Sequence, residues 1–292
     1  VAPLHYRQLS APRLNRPILV IGVEGWVDAG LGASNAVASI IEQTIASEIV
    51  TFDAEHYLDM RARRPIVHIV DGVNTGLTWP STQLRAGSDM EGNDVLILSG
   101  AEPDFHWGEF TNDLVELAQQ FDVRMVVGLG AFPAPTPHTR PVRLTSTAAP
   151  DYTHLIEEIG FMPGEIEVPA GVQSALELAF SAAGIPMVSL WARVPHYIAS
   201  MSFSPASVAL LDGLARISNL SLDLSSLRML AEGTQDQIDE LIASNPEHVS
   251  MVHRLEEVVD ESEGNALGID ELPSGDELAA ELERFLRGEG NE

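Results

Sequence analysis

Pro17-Ile18-Leu19-Val20-Ile21-Gly22-Val23 is an unbroken apolar run opened by proline and interrupted only by glycine, the pattern of a strand buried on both faces. Such a strand needs helices above and below it, so this stretch already points to an α/β fold. Immediately after it, residues 33–46 place Val37, Ile40, Ile41 and Ile45 at helical spacing. Residues 48–54 and 65–70 read as further strands. Asp94-Val-Leu-Ile-Leu-Ser99 and Arg124-Met-Val-Val-Gly-Leu129 repeat the buried-strand pattern, with a helix over 110–121 between them. Residues 151–160 and 171–183 read as helices, and 186–194 as a fourth buried strand. Ser204-Pro205 then opens a helix that runs to Ile217, serine as cap and proline in the first turn. Buried strands alternating with amphipathic helices predict a mostly parallel sheet covered on both faces.

Composition excludes much chemistry. The chain has 292 residues and a formal net charge of −27. All 16 of its basic side chains are arginine, and it has neither lysine nor cysteine. Lysine-dependent phosphate loops, Schiff bases and pyridoxal anchors are therefore absent, as are disulfides, thiolate nucleophiles, zinc–thiolate sites and iron–sulfur clusters. An acidic chain cannot readily present the electropositive face that displaces counterions from nucleic acid. No apolar run approaches the ~20 residues that span a bilayer, and no export signal opens the sequence. A cytoplasmic protein that binds neither nucleic acid nor membrane is the expectation.

Charge is concentrated toward the end. Residues 223–292 carry 19 acids and four arginines, net −15, which marks a boundary near Leu220. The expected organisation is an α/β/α domain over 1–220 and an acidic helical extension over 221–292, packed on or beside it. Thr234-x-x-Gln237 and Ser274-x-x-Glu277 fit capping boxes, and Asn245-Pro246 fits a cap followed by a first-turn proline. Apolar stripes follow: Ile238/Leu241/Ile242, then Met251/Val252/Leu255/Val258/Val259, then Leu278/Leu282/Phe285/Leu286.

Ligands of open α/β sheets gather beyond the carboxyl ends of the strands. Four loops there are rich in functional groups. Glu24 and Asp28 lie in the glycine-rich turn over 22–30. Glu102, Asp104 and His106 follow the second buried strand two residues apart, and these three are the candidates for a metal. His138 and Arg140 sit in a proline-stiffened loop, where they could serve as acid and anion clamp. His196 and Tyr197 follow the last strand. No complete catalytic motif is assembled by spacing: G-x-S-x-G, H-E-x-x-H and G-x-G-x-x-G are all missing. No cofactor is expected.

Four motifs in fixed order carry a resemblance: Gly25-Trp26-x-Asp28-Ala29-Gly30, Gly100-x-Glu102-Pro103-Asp104 with Trp107, Pro137-His138-Thr139-Arg140-Pro141, and Pro195-His196-Tyr197 before a Ser-Pro helix. Together they resemble the actinobacterial branch of the proteasome assembly chaperone 2 family. The resemblance implies a three-layer α/β/α fold of the phosphorylase/hydrolase-like kind. It also implies a non-enzymatic, assembly-chaperone-like scaffold that binds a protein partner and itself, as a homo-oligomer with a trimer among the options. The alternative is a hydrolase or nucleoside-type transferase. There Glu24 or Glu102 would be the base, His138 or His196 the acid, and Arg140 the clamp, with Asp28 beside them.

Overall fold

Successive residues of the first buried strand point to opposite faces: Ile18 and Val20 enter one apolar cluster, Leu19, Ile21 and Val23 another. This alternation organises the whole chain in the computed structural model, which describes residues 5–25, 28–157 and 159–264. The strands are β1 (Tyr6–Gln8), β2 (Ile18–Glu24), β3 (Ser47–Phe52), β4 (Ile66–Val70), β5 (Val73–Thr78), β6 (Thr82–Ser88), β7 (Asp94–Ala101), β8 (Met125–Ala134), β9 (Leu144–Ala148) and β10 (Met187–Pro195). The helices are α1 (Gly32–Gln43), α2 (Ala54–Tyr57), α3 (Trp107–Gln120), α4 (His154–Glu157), α5 (Val172–Ala182), α6 (Ser204–Ser218), α7 (Ser225–Ala243) and α8 (Pro246–Gly264).

Eight strands form one sheet in the order β1-β3-β6-β7-β2-β8-β10-β9. The four strands β7, β2, β8 and β10 are mutually parallel. Outside them every pairing is antiparallel. The sheet is thus mixed, parallel across its centre and antiparallel at both flanks. The flanking strands lack the continuous apolar runs that signal a parallel core: β6 buries only Thr82, Leu84 and Ala86 in alternation. On one face α1 and α6 cover the sheet. Ile238 and Ile242 of α7 and Val252 of α8 extend that same cluster. On the other face lie α3 and α5, with Phe110, Leu114, Leu117, Leu176 and Phe180 fully buried. The result is a helix–sheet–helix sandwich with a helical carboxy-terminal region.

Several local expectations shift. The helix expected over 151–160 shrinks to a single turn at Pro150–Tyr152 and the four-residue α4, closed by Gly160 at φ 102°. Thr234 caps nothing: it lies inside α7, its hydroxyl donating back to the Leu230 carbonyl at 2.8 Å. The helix starts instead where Asp223 accepts the Ser225 N–H at 2.9 Å. Asn245 does cap α8, accepting the Glu247 N–H at 2.9 Å. The Ser274 box and the last apolar stripe lie outside the described residues. No helix among the described residues is long and apolar enough to cross a membrane.

The strand expected at 65–70 belongs to a separate two-stranded arm, β4 with β5. Ile66, Val67, Ile69, Val70, Val73 and Leu77 are each 45–64% exposed. Alternation puts Ile66 on one face and the paired Val67 and Leu77 on the other, so both faces are apolar.

Candidate functional site

Because β7, β2, β8 and β10 run parallel, their carboxyl ends deliver four loops to one edge of the sheet. Direct contacts string these loops together. The Glu102 N–H donates to the Glu24 carbonyl at 3.0 Å. Asp28 forms a bridge with Ala131 at the end of β8. The His138 N–H donates to the Tyr197 hydroxyl oxygen at 2.8 Å.

Along this rim most of the candidate groups are occupied by the fold itself. Asp28 accepts the Ala33 N–H at 2.7 Å and the Ser34 hydroxyl, anchoring the start of α1. Glu102 is buried, and its Oε1 accepts the Val172 N–H at 2.7 Å, in the first turn of α5. A Cβ at Gly25 would lie 2.2 Å from Glu102 Oε2, so only glycine lets the first turn pass over this carboxylate. Asp104 takes the Asp59 N–H at 2.8 Å and the Arg63 guanidinium at 3.2 Å. Glu24 is exposed and lines an open depression of about 450 Å³ beside α1.

The third and fourth loops are clasped by the carboxy-terminal helices. The His138 side chain is 1% exposed, with Nδ1 2.6 Å from the Tyr197 hydroxyl and Nε2 3.0 Å from Asp239 of α7. The Tyr197 oxygen thus meets both the backbone N–H and Nδ1 of His138, which holds the ring between one hydroxyl and one carboxylate. Burial raises the Tyr197 pKa to about 12, which keeps that hydroxyl protonated. Gln235 of α7 donates to the His138 carbonyl at 3.1 Å. Arg140 forms a fork on Asp260 at 2.8 and 2.7 Å and reaches Glu256 at 3.2 Å, both on α8. His196 packs edge-on against Tyr197 at 5.4 Å. The His138 ring and the Arg140 guanidinium are thus both engaged within the protein, the first by Tyr197 and Asp239 and the second by Glu256 and Asp260.

This clasp has a pH signature. A hydrogen bond from Thr139 and the Arg140 charge lower the Glu256 pKa against the opposing effect of its partial burial, and the Arg140 hydrogen bond lowers Asp260. Folded values below unfolded ones mean that the contribution is present above the ordinary carboxylate range and lost as pH falls through the depressed values. Amide exchange in α8, corrected for intrinsic rates, is therefore expected to accelerate selectively below about pH 4. In Arg140→Ala, α8 should already exchange faster at pH 7.

Glu102, Asp104 and His106 do not share a metal pocket: Glu102 and Asp104 are committed as above, and His106 lies against His56. Among the described residues the group with ligating geometry is His5, His56 and Glu109. Nothing in the sequence signals it, because its members come from before β1, from α2 and from the first turn of α3.

These features define an α/β/α protein whose sheet-end loops are locked by its own helices. The chain belongs to the PAC2 family, whose sequence profile matches residues 22–242. A Mycobacterium tuberculosis protein of unknown function is similar at 31% identity over 91% of this chain and 94% of its own, with a TM-score of 0.84. A PAC2 family protein from Streptomyces avermitilis is 34% identical, covering 81% of this chain and 99% of its own, with a TM-score of 0.72. A proteasome-assembly chaperone homologue from M. tuberculosis, also 34% identical, covers 80% of this chain and 100% of its own, with a TM-score of 0.73. The search of curated proteins gave no match.

Proposed function

We propose that this protein is a non-enzymatic, assembly-chaperone-like scaffold that works as a homo-oligomer and docks protein rather than transforming a small molecule. One observation carries the reading: the arm β4–β5 exposes apolar side chains on both faces, while Asp28, Glu102, His138 and Arg140 of the rim are held in structural bonds. A two-stranded ribbon with two apolar faces is marginal alone in water and gains its stability from a partner. A second copy of this chain is the occupant. The arm carries Asp71 as its one charged group in an acidic chain, and Arg61, Arg63 and Arg64 stand at its root. That basic root complements the acidic surface another copy presents. The M. tuberculosis structure described as a proteasome-assembly chaperone homologue supports the chaperone-like part of the reading.

Sedimentation velocity of the full chain and of Ile69→Glu tests this. Wild type is expected to sediment as an oligomer. Ile69→Glu is expected to weaken association by at least about 2 kcal/mol, as loss of a central apolar anchor does, with an unchanged far-UV spectrum because the arm lies outside the core. A wild-type monomer at micromolar concentration, or an unaffected variant, would refute the arm as the contact between copies.

A further inference from the structure

Beneath the root of the arm three imidazoles form a stack. The His5 and His56 rings lie 3.6 Å apart and 5° from parallel, and His106 covers the other face of His56 at 4.2 Å and 10°. One carboxylate serves all three. Glu109 Oε2 is 2.8 Å from His56 Nε2 and 3.4 Å from His5 Nε2, and its Oε1 is 4.0 Å from His106 Nδ1. Two imidazole nitrogens of cofacial rings thus lie within 3.4 Å of one carboxylate oxygen.

We propose that His5, His56 and Glu109 bind one divalent transition-metal cation of the zinc type. The two Nε2 atoms and the carboxylate all lie within 4.8 Å of one another. A tetrahedral centre with bonds of about 2.0–2.1 Å separates its ligands by about 3.3 Å, so the His5–Glu109 spacing fits and the His56–Glu109 spacing opens by about half an ångström. Two imidazoles and one carboxylate make a borderline-soft set that suits zinc, cobalt or nickel and disfavours calcium and magnesium. The side chains of His5 and His56 are 23% and 21% exposed, so a cation can enter, and because an imidazole ligates in its ring plane, binding turns these two rings out of their stack. Tyr57 backs the site: its ring meets His56 edge-on at 4.8 Å, and its hydroxyl donates to buried Asp113 at 2.8 Å. His106 or water completes the coordination.

The bound cation joins three separated segments, the strand edge before β1, α2 and α3. Just beyond α2, Asp59 and Arg63 both bond Asp104, and the arm begins at Ile66. Metal binding therefore stiffens the base from which the arm projects.

The test uses the full, untagged chain freed of metal by chelator. Zinc is titrated calorimetrically, and cobalt is followed by its visible absorption. Wild type is expected to take up one equivalent with a dissociation constant below about 10 μM and to melt at higher temperature with zinc present. Glu109→Gln, which preserves shape, and His5→Ala, which alters only the segment preceding the edge strand, are each expected to weaken binding by about 100-fold. His68→Ala, on the arm, is expected to bind as wild type. Uptake weaker than about 10 μM, equal affinity in wild type and both ligand variants, or loss on His68→Ala instead would each overturn the assignment.

Discussion

Gly100→Ala is expected to destabilise the domain by about 3–5 kcal/mol, lowering the melting temperature by about 10 °C. Gly100 adopts φ 105°, a region that side-chain-bearing residues rarely enter. A Cβ there would stand 2.0 Å from the Ser81 carbonyl oxygen, which is backbone and cannot swing aside. That carbonyl also accepts the Ala101 N–H at 3.0 Å, and Thr82 donates to the Ala101 carbonyl at 2.6 Å. Relieving the clash therefore breaks the last pairing of β6 with β7, from which the chain turns into the Glu102 loop. Gly233→Ala, in α7 with open space around the added carbon, serves as control and is expected to gain about 0.5–1 kcal/mol from helix propensity. A Gly100→Ala protein that melts with wild type would show that this bend is not needed.

His138→Ala is expected to cost about 2–4 kcal/mol and to free the carboxy-terminal helices before the sheet unfolds. The substitution empties a buried ring site, takes from the Tyr197 hydroxyl its side-chain partner, and removes the bond to Asp239 of α7. Limited proteolysis should then cut the α7–α8 junction near Ser244 at temperatures where wild type resists. Asp239 is 55% exposed, so Asp239→Asn is expected to cost less than about 1 kcal/mol. That contrast separates a buried anchor from a surface ion pair. Equal, small effects of both variants would place the strength of the clasp elsewhere, in the apolar contacts of Ile238 and Ile242.

All four parallel strands could be read from sequence, because a strand covered on both faces is apolar at nearly every position. Of the flanking strands only β3 could, from the reading over 48–54. β9 reads Leu-Thr-Ser-Thr-Ala, and β6 alternates burial with Gln83 and Arg85, so neither has an apolar run to find. Thr234 misled because a capping residue type inside a helix satisfies its hydroxyl on the preceding turn. The rim itself was readable, since strand order decides which loops meet. What the rim residues do was not. The partners of His138 and Arg140 lie 101 and 120 residues further along the chain, and local spacing carries no trace of them. The stack of His5, His56 and His106 was hidden for the same reason.

The central strand β2 is synthesised before either of its neighbours in the sheet. Its first partner, β7, lies about 70 residues downstream, and β8 about 100. At a ribosomal pace of about 5–20 residues per second, its bare apolar ribbon waits several seconds for company. Synthesis thus passes through a stage that invites chaperoning, and slowing translation between the codons of β2 and those of β7 should raise the yield of aggregated nascent chains.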